Sequence, residues 1–138
     1  SYTNQIHKNK SKLHSWIWHD YERALSQINP SSYKFENENM ILNRDDKPNS
    51  PFMETYYIKN NFFLENNQII DNISKIKKIP GYIIQGRYDL ICPPYNAFSL
   101  KSGWEKCRLK FINTAGHSSS DPGITENLFK ALEDIISY

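Results

Sequence analysis

Apolar side chains recur at Leu13, Trp16, Ile17, Tyr21, Ala24, Leu25 and Ile28. That 3.6-residue period predicts an amphipathic helix over residues 12–28, with Ser11 as its N-cap and Pro30 as its stop. From Asn29 to Ser50 the chain is polar and nearly patternless. It reads as a surface excursion with a short apolar touch at Met40-Ile41-Leu42. Ser50-Pro51 has the form of an N-cap followed by proline in the first helical position. The helix it opens is expected to run through Phe52, Met53, Glu54, Tyr56 and Tyr57 to about Phe62. Ile69, Ile70, Ile73 and Ile76 predict a third helix near residues 68–76.

The pattern changes at Pro80-Gly81. Tyr82-Ile83-Ile84 is a continuous apolar run of the kind a strand buried on both faces requires, and Gly86 closes it. Pro93-Pro94 bars an earlier helix start, so a short helix is expected over residues 95–101. Arg108 to Ile112 reads as a second strand and Thr114 to His117 as a loop. Ile124 to Ile136 is a final amphipathic helix, with Leu128, Leu132, Ile135 and Ile136 on one face. Strand, helix, strand, helix in succession is the grammar of a parallel α/β sheet. Two strands with so few helices leave much apolar surface uncovered. The C-terminal block therefore reads as the end of a larger sheet.

Composition sharpens this picture. The 138 residues are 38% hydrophobic and 14% aromatic, lean for a self-sufficient globule. Seventeen Lys and Arg against fifteen Asp and Glu give a net charge of +2. That balance, interspersed along the chain, argues against a nucleic-acid partner. No apolar run approaches the roughly 20 residues of a membrane span, and no signal-peptide pattern opens the chain. Cys92 and Cys107 make neither a disulfide framework nor a metal motif. A reduced cytoplasmic protein with no membrane partner is the expectation.

Candidate chemistry lies at the strand ends. Asp89 follows the first strand in Gln85-Gly86-Arg87-Tyr88-Asp89, and His117 follows the second in Ala115-Gly116-His117-Ser118. In open α/β sheets reactive groups gather at the carboxyl ends of strands. The two residues are therefore expected on one rim, although 28 positions separate them. A carboxylate accepting from imidazole Nδ1–H fixes the tautomer and stabilises the imidazolium formed when Nε2 takes a proton. Gly86 and Gly116 are read as sharp turns at each rim. Taken singly, Asp89 also suits a turn residue ahead of Pro93-Pro94, and His117 a loop histidine held by backbone.

The run from Ile79 to Pro93, with its Gly86-Arg87-Tyr88-Asp89 and Cys92-Pro93 segments, resembles the proline iminopeptidases of the α/β-hydrolase superfamily. So do Ala115-Gly116-His117-Ser118 and Asp121-Pro122-Gly123-Ile124. Weaker similarity extends through Glu54-Thr55-Tyr56-Tyr57 and Trp18-His19-Asp20-Tyr21-Glu22. The resemblance implies the C-terminal part of an α/β-hydrolase fold. Residues 1–78 would form part of a helical cap, and 79–138 the last strands and helices of the core. It implies release of N-terminal proline from short peptides, with Asp89 and His117 as members of a Ser-Asp-His triad. Glu22 and Glu54 match the family's two cap glutamates, which bind the substrate's imino nitrogen. The family's usual tryptophan before the first glutamate is Tyr21 here. Ile91 and Cys92 match residues that line the proline pocket, and Arg87 is read as structural. No metal or organic cofactor is implied.

The family's nucleophile sits in a G-x-S-x-G elbow, and these 138 residues contain no such motif. Ser118 has Gly116 two residues before it but no glycine two residues after it, and Ser119 and Ser120 have neither. The expectation is a C-terminal portion, inactive alone, whose partner is the N-terminal part of the same enzyme. Two alternatives stay open: a stand-alone, non-catalytic peptide- or protein-binding module, and another α/β-hydrolase such as an esterase.

Overall fold

The computed structural model describes residues 1–8, 10–28 and 34–137. They fall into two compact units, one from residues 1–24 and 31–66 and the other from 25–30 and 67–138.

The first unit is helical. Helix α1 (Tyr2–His7) is not signalled by any pattern; it packs on α4 (Ser50–Lys59), and its Ile6 is fully buried. His7 Nε2 lies 2.8 Å from the hydroxyl of Thr55, which also donates to the Pro51 carbonyl at 2.6 Å. Helix α2 (Lys12–Ser26) begins where Ser11 predicts: the Ser11 Oγ accepts from His14 N–H at 3.3 Å. The predicted stop at Pro30 lies outside the described residues. The expected excursion contains a short helix, α3 (Glu38–Leu42), capped by the Asn37 side chain, which accepts from Met40 N–H at 3.0 Å. Ile41 is the buried member of the apolar touch.

Beyond α3, Arg44 organises a polar cluster. It holds Glu36 at 2.8 Å and Asp46 at 2.8 Å, and its guanidinium lies 3.8 Å from the centroid of the Trp16 ring. The hydrogen bond from Arg44 holds the Asp46 carboxyl below its ordinary range.

Helix α4 corrects one detail and one boundary. Asn49, not Ser50, occupies the cap position, and it makes no side-chain cap. The helix stops at Lys59 because Asn61, Phe62 and Phe63 all take positive φ, from 49° to 57°.

The second unit carries the sheet. The third predicted helix is broken at Asn72 into α5 (Gln68–Asp71) and a 3-10 turn over Ile73–Lys75. Strand β1 (Gly81–Gly86) and strand β2 (Cys107–Ile112) pair in parallel, from Gly81 opposite Cys107 to Gly86 opposite Ile112. Between them α6 (Pro94–Gly103) packs on both strands. Gly81 is needed where it stands: a Cβ there would lie 2.2 Å from the indole of Trp104, whose Nε1 donates to the Ile79 carbonyl at 2.8 Å.

Helix α7 (Pro122–Ile136) packs on β1. The core is Ile112, Ala115 and Ile124, with Ile84 packed against it. The predicted face of α7 is mostly not the buried one. Ile124 and Ala131 are covered, whereas Leu128, Leu132, Ile135 and Ile136 remain exposed within this chain. A two-stranded sheet is too narrow to cover a four-turn helix.

Candidate active site

The site begins with pairing that outlasts the strands. Arg87 N–H donates to the Ile112 carbonyl, and Tyr88 N–H to that of Ala115, each at 3.0 Å. The two loops leave the sheet joined. Gly86 and Gly116 are required for a reason other than turning, since neither has positive φ. A Cβ on Gly86 would meet the Gly116 carbonyl oxygen at 1.9 Å, and one on Gly116 the Ser26 carbonyl oxygen at 2.8 Å. They allow backbones to touch.

Asp89 sits on this crossing, 7% exposed. Its Oδ1 accepts from the backbone N–H groups of Ile91 (3.0 Å) and Cys92 (2.7 Å). Its Oδ2 lies 3.2 Å from Gln85 Nε2 and 3.0 Å from His117 Nδ1. The turn reading and the paired reading of Asp89 are thus both realised, one on each oxygen.

His117 is fixed from its own side. Its N–H and that of Ser118 both donate to the Ser26 carbonyl, at 3.1 and 3.2 Å. One residue earlier, Gly116 N–H donates to the Asp121 carboxylate at 2.8 Å. With the backbone held by Ser26 and the ring by Asp89, the His117 side chain still keeps 38% of its surface open. Against a carboxylate, Nδ1 carries the hydrogen and Nε2 is left as the proton acceptor.

Cys92 also joins this group. One ligand-type atom from each of Asp89, Cys92 and His117 lies within 4.8 Å of the others. Partial desolvation of the thiol, and then the neighbouring Asp89 carboxylate, raise the Cys92 pKa. Ile91 is half-buried beside it and meets Asp89 through its backbone. Arg87 donates through Nε to the Asn113 side-chain oxygen at 2.8 Å and lies over the Phe111 ring.

Glu22 and Glu54 belong to the helical unit, on α2 and α4, and both are half-buried. Glu54 Oε2 accepts from the indole N–H of Trp18 at 2.7 Å. Trp18 also lines a shallow apolar hollow with Tyr2, Ile17 and Tyr21. Sequence reasoning placed Trp18 in a matching segment but missed this bond, because nothing in the spacing from 18 to 54 signals it.

The fold and the site define a mixed α/β protein that delivers a carboxylate–imidazole pair from the carboxyl ends of two parallel strands. No protein-family model matches the chain. It is 34% identical over 119 residues to a proline iminopeptidase of Arabidopsis thaliana, a match covering 84% of this chain and 30% of that protein. The proline iminopeptidase of Neisseria meningitidis serogroup B is 37% identical over 87 residues, covering 62% and 28%. That of Xylella fastidiosa is 37% identical over 81 residues, covering 59% and 26%. By sequence the chain belongs to the proline iminopeptidase family. It spans less than a third of the length of these curated relatives. Among the described residues no helix is long and apolar enough to cross a membrane.

Proposed function

We propose that this chain is the C-terminal portion of a serine aminopeptidase that releases N-terminal proline, and that it supplies the aspartate and histidine of the triad. In this reading the second unit is the end of an α/β-hydrolase core, and the first is part of its helical cap. The observation that supports it most is the 3.0 Å approach of His117 Nδ1 to Asp89 Oδ2 across 28 residues of sequence.

That geometry supports the following chemistry. A serine from a segment outside these 138 residues attacks the carbonyl carbon of the N-terminal proline. His117 takes the hydroxyl proton on Nε2 and returns it to the leaving amine. Asp89 holds the ring in one tautomer and stabilises the imidazolium. Water, activated by the same ring, then releases proline from the acyl-enzyme. Glu22 and Glu54 bind the protonated imino group, which needs anionic partners and thereby separates a chain terminus from an internal amide. Trp18 orients Glu54 for this task. Ile91 and Cys92 line the pocket for the proline ring.

A fluorogenic proline amide tests the reading. The 138-residue chain alone is expected to release no fluorophore, whereas a protein extended upstream through a G-x-S-x-G elbow releases it. An extended, folded protein that stays inactive would count for a binding module instead.

A further inference from the structure

We propose that Asp89, Cys92 and His117 form a binding site for a thiophilic divalent cation, zinc foremost, which captures the imidazole by replacing the hydrogen between His117 and Asp89. Thiolate, imidazole and carboxylate are the donors zinc prefers, and three protein ligands with one open position suit a tetrahedral ion. The three donor atoms already lie within 4.8 Å of one another.

The arrangement is built rather than incidental. Cys92 N–H donates to Asp89 Oδ1 at 2.7 Å, and the Cys92 carbonyl accepts from Gln85 Nε2 at 3.1 Å. The backbone carrying the sulfur is therefore tied to the same carboxylate that holds the imidazole. Cys92 is exposed, and the His117 ring is 38% open, so an ion can enter and keep a water.

The fit asks for little movement. Zinc at about 2.0–2.3 Å from each donor needs its donors roughly 3.3–3.6 Å apart. Nδ1 and Oδ2, now at 3.0 Å, would open by a few tenths of an ångström. The sulfur, within 4.8 Å of a donor atom on each partner, would close by roughly 1.2–1.5 Å at most, within the swing of one χ1 rotation.

The proton balance is definite. The Cys92 thiol gives its proton to solvent as the Zn–S bond forms. Nδ1 gives up its hydrogen to the metal, and the ring takes one on Nε2. Each ion bound by the neutral imidazole thus releases about one proton, and Nε2 can no longer accept one. The binding itself is read directly and does not depend on the peptidase assignment.

Cobalt titration of the reduced protein carrying the whole sequence, with folding checked by circular dichroism, tests the site. One equivalent should bring a thiolate-to-cobalt charge-transfer band, and zinc should displace it. Cys92→Ser should remove the band and weaken zinc binding at least about tenfold, whereas Cys107→Ser should leave both unchanged. In the unsubstituted protein, one equivalent of zinc should slow alkylation of Cys92 about tenfold or more and leave Cys107 unaffected. A band that survives Cys92→Ser, zinc binding undiminished in His117→Gln, or Cys92 alkylation indifferent to zinc would each overturn the proposal.

Discussion

The Nδ1 of His117 stands 3.0 Å from the Oδ2 of Asp89, on two loops that leave neighbouring parallel strands. The other carboxylate oxygen is held by the N–H groups of Ile91 and Cys92. One side chain thus shapes its own turn and orients a ring from a distant segment. Asp89→Asn separates these two jobs. An amide oxygen can still accept from Ile91 and Cys92, but its NH₂ then faces the Nδ1 hydrogen and the Gln85 amide. In the active, extended protein kcat should fall by about 10³–10⁴-fold, as expected when the tautomer is wrong. Unfolding of the chain should cost about 1–3 kcal/mol less, from donors left facing donors. A variant retaining kcat within tenfold would remove Asp89 from the mechanism.

Gly86→Ala tests the contact between the loops. The added methyl would lie 1.9 Å from the Gly116 carbonyl oxygen and 2.7 Å from that of Ala115, and neither atom belongs to a flexible side chain. The strand end and the histidine loop must part. A loss of about 1–3 kcal/mol in urea unfolding is expected. An alanine variant as stable as the parent would show that the loops are not pressed together.

Glu54 should act on the substrate's charge. In the extended protein, Glu54→Gln is expected to raise KM for proline amides by roughly tenfold to a hundredfold, the worth of a charged hydrogen bond. Simple esters without a terminal amine should be little affected. Trp18→Phe, which deletes the 2.7 Å indole bond to Glu54, should shift the same KM by a smaller factor of about five. Equal effects on amides and esters would assign Glu54 to structure alone.

The Arg44 cluster predicts a pH dependence. Its hydrogen bond to Asp46 holds that carboxyl below the ordinary carboxylate range in the folded chain. A lowered folded pKa contributes stability that is complete above the ordinary value and fades as pH falls through the lowered one. The urea midpoints of the parent and Arg44→Met should therefore differ at neutral pH and converge in acid. Both partners are solvent-accessible, so the gap should also shrink with added salt. A difference independent of pH would mean that Arg44 acts through its stacking on Trp16.

Much of this architecture was legible in the residues. The apolar run Tyr82-Ile83-Ile84 between Pro80 and Gly86 reads as a strand and is one, although its three residues are half-buried here rather than covered on both faces, and two strands with a helix between them bring Asp89 and His117 to one rim. Ser11 announced the start of α2 because its cap bond is local. Other features were not readable. Helix α1 has little amphipathic pattern, yet it packs on α4 and its Ile6 is fully buried. The break at Asn72 and the positive φ values at Asn61, Phe62 and Phe63 ran against the helical periodicity around them. The two glycines were recognised as special for the wrong reason, because backbone contact between loops leaves no trace in local sequence. The Trp18–Glu54 bond joins positions 36 apart and was invisible for the same reason.

The unequal cover of the pair has a chemical consequence. With 6% of its side-chain surface open against 38% for the histidine, the aspartate lies in the lee of the ring. Electrophiles diffusing up from water, such as an acylating probe, will encounter nitrogen before oxygen. Chemical labelling of this chain should therefore mark position 117 while sparing position 89.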